Sequence, residues 1–451
     1  MKSEEEITQE IKELLKKIDG SKNKEEADQL TKSLVITSNS PSMQSLVLIN
    51  HPIGDKAARA LGEALRHNIF LQILVLANCK IGKNSASFFG DALKSNTKLQ
   101  GLYLTDNWIQ EDGALALSEG LKSNTALQIL DLANCRIGEK GCLALSEVLK
   151  SNSFLLNLNL ANCEIGKKGF LSLNEVLKSN SSLVGLDLGY NKAESRSFLA
   201  FCEGLKSNTT LQRLDLGTCN IEDKGALALS EVLKINTSLH SIDLKYNKIG
   251  EEGFLALSRA LKSNTSLLNL SLSDVALYEE VGNKAQQEIN TLLTRNRKSF
   301  KPKLEKMLEN SFEQLHSLSV LDAQKLFHLG KIEYQKRYQQ QKQTIENLLL
   351  QWKIVGGNRD NYDKKLSILI KNCDTQAENL STIDASLKND KQNKEVSMQE
   401  RLEQLEQMML MPSFESPDTS LPSSAVILSQ KTKPMVNESS LPLTPNTELK
   451  L

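Results

Sequence analysis

The chain has 451 residues, and its 55 lysines and arginines balance 55 aspartates and glutamates. This length exceeds what one compact core usually serves, so we expect several domains or an elongated repeat array. The balanced charge leaves no global field to attract nucleic acid or an anionic membrane, and neither is predicted as a partner. No apolar run approaches the roughly 20 residues of a membrane-spanning helix.

The beginning of the chain is polar, and residues 1–6 carry no apolar stretch of signal-peptide length. Seven cysteines are present, an odd number, and most recur at one repeated position rather than in close pairs. This usage is typical of free thiols in a reducing compartment, so we expect a cytoplasmic protein.

Residues 1–40 are predicted to form an N-terminal helical cap. Apolar residues stand at helical spacing in its first half, the pattern breaks at Gly20, and a second segment runs toward Leu34. The apolar residues of the first half are Ile7, Ile11, Leu14, Leu15 and Ile18. A stack of repeats must cover its first apolar face, which gives this segment its expected role.

Residues 41–299 contain one unit that recurs every 28 residues. Alternating leucines predict a short strand, an Ile-Gly corner such as Ile137-Gly138 follows, and a helix-period segment completes the unit. The nine strand motifs begin at Met43, Leu71, Leu99, Leu127, Leu155, Leu183, Leu211, Leu239 and Leu267. The last unit, in which Asn296 falls four residues late, is predicted to be a terminal capping repeat.

A unit of this size has too little core to fold alone, so neighbours must stack strand beside strand and helix beside helix. The pattern resembles the leucine-rich-repeat superfamily in its 28-residue form, as in ribonuclease inhibitor, the Ran GTPase-activating protein, tropomodulin and NOD-like receptors. The resemblance implies an α/β fold, a right-handed solenoid (horseshoe) with an inner parallel sheet and outer helices. It covers somewhat more than half of the chain and says little about function.

Three residue columns of the repeat are expected to belong to the scaffold. By the resemblance, the column after each strand, for example Cys135 and Asn191, is a ladder that bonds loop backbone; a metal site would need converging ligands. Asparagines such as Asn68 close the helices, and we expect them to cap the helix end in the left-handed conformation. Lysines before them, such as Lys122, are placed to pair with acidic residues three positions earlier.

Variation is concentrated on the concave, solvent-facing side of the strands, where we place the candidate partner-binding residues. Three aspartates follow one another on neighbouring strands and would favour a basic group, although Arg213 and Lys245 are near enough in sequence to offset them. Exposed aromatic residues add typical interface anchors. The candidates are Tyr103, Trp108, Asp131, Asp187, Tyr190, Asp215, Asp243 and Tyr246.

Residues 300–411 lose the repeat and predict an all-α region, either a helical bundle or coiled-coil-like helices that bind a partner or self-associate. His316, His328 and Cys373 are widely separated there and match no catalytic or metal spacing. Residues 412–451 are rich in Pro, Ser and Thr and predict a disordered tail with a loose likeness to type IV export signals.

These observations predict a non-enzymatic scaffold or adaptor that binds a protein, with no cofactor and no metal. Three alternatives remain open. Likeness to the Ran GTPase-activating protein suggests a regulator of a small GTPase, and the tail suggests an effector that a bacterium delivers into a host cell. An enzyme within residues 300–411 also stays open.

Overall fold

A computed structural model describes residues 2–273, 280–321, 331–357 and 359–389. The chain divides into two compact units, Met1–Arg297 and Lys298–Leu451, and each is described by itself. The end of the predicted all-α region (residues 390–411), the predicted tail 412–451 and His328 lie outside the described residues.

The first unit begins with two helices, α1 (Glu4–Gly20) and α2 (Lys24–Ser38). Helix α1 starts with a capping box, in which the Ser3 hydroxyl accepts from the Glu6 amide and the Glu6 carboxylate accepts from the Ser3 amide. Its apolar face is buried against the first repeats. The carboxylate of Asp19 accepts hydrogen bonds from the amides of Gly54 (2.7 Å) and Ala57 (2.9 Å), at the start of the next helix. These contacts close the first end of the stack.

Nine strands of three residues follow, one in each repeat. They are β1 (Ser45–Val47), β2 (Ile73–Val75), β3 (Gly101–Tyr103), β4 (Ile129–Asp131), β5 (Asn157–Asn159), β6 (Gly185–Asp187), β7 (Arg213–Asp215), β8 (Ser241–Asp243) and β9 (Asn269–Ser271). Each is parallel to the next in one sheet of order β1 to β9, and every residue pairs with the residue 28 positions later.

One helix separates each pair of strands. These helices are α3 (Asp55–His67), α4 (Lys83–Leu93), α5 (Gln110–Leu121), α6 (Gly138–Leu149), α7 (Gly166–Ser179), α8 (Ser195–Ser207), α9 (Asp223–Ile235) and α10 (Glu251–Ser263). The middle residue of each strand, such as Leu130, is buried against their apolar faces. The predicted α/β leucine-rich-repeat solenoid is therefore confirmed, and residues of one column lie side by side.

The column after the strands is the backbone-bonding ladder that the resemblance implied. The Asn191 amide donates to the carbonyls of Leu160 (2.7 Å) and Leu188 (3.0 Å) and accepts from the amide of Cys163 (3.1 Å). The Cys163 thiol donates to the carbonyl of Leu132 (2.9 Å). Burial raises the pKa of this thiol to about 12, so it stays protonated and unreactive.

The asparagines at the helix ends do not adopt the left-handed conformation that we expected. Asn68 and Asn180 both have extended backbone, with φ of −77°. The Asn180 side chain instead accepts from the amides of Ser182 (2.9 Å) and Leu183 (2.8 Å) and donates to the Leu149 carbonyl of the preceding repeat (2.7 Å). The column therefore joins neighbouring repeats as well as closing each helix.

The lysine column is paired with acidic residues as predicted. Lys122 lies 2.5 Å from Glu119 and Lys150 lies 2.6 Å from Glu147, and the same spacing repeats in other helices. These exposed pairs add little stability, but they cancel charge on the outer surface.

Helix α11 (Glu280–Ser319) ends the first unit and begins the second. Near its middle, the Asn296 amide donates to the carbonyls of Asn264 (3.1 Å) and Leu267 (2.8 Å), although the helix continues past it. The residue four positions late thus keeps one bond of its column, the one to the carbonyl of the preceding asparagine. Ile289 and Leu293 of α11 are buried in the core of the first unit.

The second unit is helical in its described residues and contains the end of α11, α12 (Lys331–Ile354) and α13 (Asp360–Asn389). Phe312 stacks on Tyr362 with ring centroids 5.6 Å apart, and the buried Tyr334 hydroxyl donates to the Cys373 carbonyl (3.2 Å). Among the residues that the structure describes, none of the helices is both long and apolar enough to cross a membrane.

Candidate functional site

The open face of the sheet corresponds to the predicted concave face. Because side chains alternate along a strand, the first and third residues of each strand point away from the helices. Five predicted site residues occupy the third position, namely Tyr103 on β3, Asp131 on β4, Asp187 on β6, Asp215 on β7 and Asp243 on β8.

The last three of these carboxylates form an acidic row on adjacent strands β6, β7 and β8. Each accepts a hydrogen bond through Oδ1 from the amide two residues later, at 2.9 Å for Asp187 and 2.8 Å for Asp215 and Asp243. This local bond holds every side chain in the same orientation. Among the described residues, none of the three carboxylates forms an ion pair.

Crowding changes the ionisation of the acidic row. Burial, followed by the charge of Asp215, raises the pKa of Asp187 to about 7. Burial also raises the pKa of Asp215 to about 6, with a further contribution from Asp243, while the Gly217 amide and Lys245 lower it. The charged forms are therefore costly in the free protein, and a cation placed against them would relieve that cost.

Arg213 does not offset the row as we expected. Its Nη2 donates to Oδ1 of Asn157 (2.7 Å), two strands away, and the guanidinium passes over Gly185. A Cβ at Gly185 would lie 2.5 Å from that Asn157 oxygen and 3.2 Å from Nη2, so the crossing requires glycine there. Nη1 of Arg213 is buried without a hydrogen-bond partner. Lys245, the other basic residue expected to offset the row, does lower the pKa values of Asp215 and Asp243.

Asp131 is held more tightly within the sheet than the acidic row. Its Oδ1 accepts from the Ala133 amide (2.9 Å) and its Oδ2 accepts a second bond, from the Asn159 side chain (3.2 Å). Asp131 is buried to the same extent as Asp243 of the row. Its neighbour Tyr103 is half-buried, with its ring over Gly101, where a Cβ would lie 3.0 Å from the ring. Burial, together with Asp131, raises the pKa of Tyr103. These two residues form the middle of the open face.

Tyr190 and Tyr246 lie in the loops beyond β6 and β8 and are 62% and 72% exposed. Both have left-handed backbone, with φ of 58° and 57°. Their column is left-handed throughout: Asn50, Asn78, Asp106, Asn134, Asn162, Tyr190, Thr218 and Tyr246. Asparagine and aspartate tolerate this conformation, whereas a bulky tyrosine is strained in it. An exposed aromatic residue at a strained position points to a use outside folding.

Trp108 is 66% exposed and lies in the loop beyond β3. It borders a shallow depression of about 330 Å³ that is otherwise polar. Amide side chains cross it, because Asn134 donates to Asp106 (2.8 Å) and Asn162 donates to Asn134 (2.7 Å). Trp108 therefore belongs to the loop edge of the early repeats and not to the acidic row.

Sequence reasoning missed an apolar patch at the first two strands of the open face. Val47, Ile49 and Ile73 are 40%, 45% and 40% exposed, and Val47 pairs with Val75 in the sheet register. The signal was present, since Val47 and Val75 head the column that later contains the aspartates. Valine and isoleucine look like ordinary strand formers, so composition alone did not mark them.

The described residues contain no group of three or more His, Cys, Asp or Glu that could hold a metal ion. In the second unit, a depression of about 440 Å³ is lined by Gln314, Ser317, Leu318, Leu321, Arg337, Gln340 and Gln341. No histidine, cysteine or carboxylate is in that lining. The Ser317 hydroxyl donates to its own helix at the Glu313 carbonyl (2.9 Å). Cys373 is buried, with a pKa raised by that burial to about 11.

Two family models support the repeat assignment. A family model described as the tropomodulin and leiomodin leucine-rich domain matches residues 189–311, and a leucine-rich-repeat model matches residues 95–118 and 123–146. A solved structure titled "Leiomodin-1 Actin-Binding Site 2 (ABS2)" is 23% identical, covering 36% of this chain and 92% of that chain, with a TM-score of 0.32. No curated protein matches. The first unit is a leucine-rich-repeat solenoid, and the family models, which match less than half of the chain, do not fix a subfamily.

Proposed function

We propose that this leucine-rich-repeat protein is a non-enzymatic scaffold that binds a protein partner on the open face of its sheet. The acidic row is the observation that carries the proposal. Three carboxylates on adjacent strands are fixed in orientation, form no ion pair in the described residues, and include two with pKa values raised to about 7 and about 6. A rigid scaffold loses little entropy on binding, so such a surface suits a preformed interface.

The exposed aromatic residues support the same surface. Tyr190 and Tyr246 flank the acidic row at the ends of β6 and β8, and Trp108 stands at the loop edge nearer the beginning of the sheet. Large, rigid side chains that folding does not require are the usual anchors of protein interfaces. The outer helical surface offers less charge for recognition, because its lysines are already paired.

Site-specific photocrosslinking tests the proposal. A benzophenone amino acid replaces Ile73 on the open face in one full-length variant and Leu115 on the outer face of α5 in a matched control. These side chains are 40% and 52% exposed. We expect a discrete protein adduct in cell extract from the Ile73 variant alone. Adducts only from the Leu115 variant, or from neither, would contradict binding at the open face.

Alanine variants then connect the adduct to the aromatic residues. We expect Trp108→Ala combined with Tyr246→Ala to weaken capture of the crosslinked protein by about tenfold or more, as for removal of interface anchors. Unchanged capture would argue against these anchors. The GTPase-regulator and exported-effector alternatives, and self-association through the C-terminal helices, stay hypotheses that no observation here favours.

A further inference from the structure

The open face changes in polarity along the sheet, from apolar at its first strands to acidic at its later ones. Its first part, on β1 and β2, is the apolar patch formed by Val47, Ile49, Ile73 and Val75. Its last part, on β6 to β8, is the acidic row. The strands between them present Tyr103, Asp131 and amide side chains, so the two parts are separated by mixed polar surface.

The apolar patch is continuous. Register places Ser45 beside Ile73 and Val47 beside Val75, so branched side chains from two neighbouring strands meet on one surface. Single exposed apolar residues need no explanation on a protein surface. Three neighbours that are each 40% or more exposed form a contiguous patch, and such patches mark interaction sites.

The acidic row lies in a recess. Gly189 and Gly217 follow two of its strands where Ala133 and Ala161 follow β4 and β5. A Cβ at Gly189 would lie 3.3 Å from Oδ1 of both Asp187 and Asp215, and a Cβ at Gly217 would lie 3.2 Å from Oδ1 of Asp215. Asp187 and Asp215 are therefore reached over glycine backbone, whereas Asp243 is buried and Lys245 follows its strand. The rings of Tyr190 and Tyr246 are exposed at the nearby loop edge.

Resting on the function proposed above, we propose that the partner presents a two-part segment, with apolar residues at one end and two or three lysines or arginines at the other. The apolar end contacts the patch on β1 and β2, and the cations meet Asp187 and Asp215, where Tyr190 and Tyr246 add cation–π contacts. With strands about 4.8 Å apart, β2 and β7 are roughly 24 Å apart, which about seven extended residues span.

Charge and desolvation together select this occupant. A purely basic segment would leave the apolar patch in water, and a purely apolar one would bury carboxylates without partners, which is costly. An acidic partner would be repelled by the row. The two-part segment alone satisfies both ends of the surface. Its cations stabilise the charged form of Asp187, whose pKa is raised by burial and then by the charge of Asp215.

Synthetic peptides of about thirteen residues test the inference with the full-length protein. Three of them contain three leucines, three lysines and seven serines or glycines. One peptide has leucines first, one has lysines first, and a third interleaves them; a fourth replaces the lysines of the first with glutamate. Fluorescence anisotropy of labelled peptides measures binding at low and high salt. We expect one of the two segregated peptides to bind at least tenfold more tightly than the interleaved one, and the glutamate peptide not to bind.

Protein variants assign the two ends. Asp187→Asn with Asp215→Asn should weaken the better peptide about tenfold and flatten its salt dependence, because screened charge pairs are lost. Ile73→Ser should weaken it without changing the salt dependence. The matched control is Glu147→Gln on the outer face of α6, which should change neither.

Two outcomes would overturn the inference. Equal affinity for the segregated and interleaved peptides would contradict the two-part pattern. An affinity that the aspartate substitutions leave unchanged would contradict it as well. If the peptides fail while Ile73 still crosslinks a protein, only this inference fails. If the open face crosslinks nothing, the proposed function fails as well.

Discussion

The ionised side chain of Asp187 lowers the stability of the fold at a position that we propose for partner binding. Its pKa of about 7 lies above the usual aspartate value of 3.8 because burial and Asp215 disfavour the charge. Between these two values the folded chain binds more protons than the unfolded chain, so this residue lowers the free energy of unfolding as pH rises through that window. The carboxylate is retained at a position where folding would prefer a neutral group.

We therefore predict that Asp187→Asn stabilises the protein at pH 7, by about 2 kcal/mol, and has little effect at pH 4. Asparagine keeps the acceptor for the Gly189 amide, as Asn159 already does for Ala161 in the same column. Urea unfolding of both proteins across this pH range measures the difference. The reverse control, Asn159→Asp, should destabilise more at pH 7 than at pH 4, because it adds a buried charge at pH 7 besides losing the Asn159 bond to Asp131. A pH-independent difference would contradict the argument.

Tyr190 also costs stability at a proposed binding position, because its backbone is left-handed. We predict that Tyr190→Asn raises the free energy of unfolding by about 0.5–1 kcal/mol, because asparagine tolerates φ of 58° better than tyrosine does. The same change should weaken partner binding. Thermal unfolding and peptide anisotropy measure the two effects. Tyr103→Asn is the control, since Tyr103 has no positive φ and should gain no stability.

The sequence allowed only part of this residue-scale description. It placed the aspartates on one face, because a 28-residue step and strand alternation leave no other choice. It could not show that Arg213 reaches across Gly185 to Asn157, because the two ends of that contact are 56 residues apart. Nor could it show which tyrosines sit in left-handed backbone, because a loop conformation depends on the neighbouring repeat.

At the scale of the element, the two asparagine columns differ in what the sequence could predict. The ladder after the strands was inferred from resemblance, and its bonds are confirmed. The helix-end column was predicted to be left-handed, and this was wrong. Asparagine suits both a left-handed cap and a side chain that bridges repeats, and only the neighbouring repeat's free carbonyls decide between them.

In the ladder after the strands, we predict that asparagine contributes more to stability than cysteine does. Asn191→Ala leaves the amides of Cys163 and Ile165 and three carbonyls without their partner, so we expect a loss of roughly 2–4 kcal/mol. Cys163→Ala removes one thiol hydrogen bond and should cost less. Denaturant unfolding of the two variants compares them. Equal losses would show that the ladder contributes mainly by packing.

For the whole molecule, the cap formed by α1 and α2 determines whether the stack has an exposed apolar end. Ile11 is fully buried in the core of the first unit, whereas Ile36 on α2 is 76% exposed. We predict that Ile11→Ala costs about 2–4 kcal/mol, while Ile36→Ala stays within about 0.5 kcal/mol. Calorimetry of the full-length variants measures both. A similar small effect at both positions would mean that the cap is not coupled to the repeats.

Period, alternation and composition were sufficient to determine the solenoid, its nine strand motifs and the residues that share its open face. They are sufficient because each repeat meets only its neighbours, so local pattern and global fold carry the same information. The tertiary structure alone decided which of those residues are exposed, strained or unpaired: the apolar patch, the recess over Gly189 and Gly217, and the raised pKa of Asp187. Those properties depend on distances between side chains of different repeats, and the residue types alone do not give these distances.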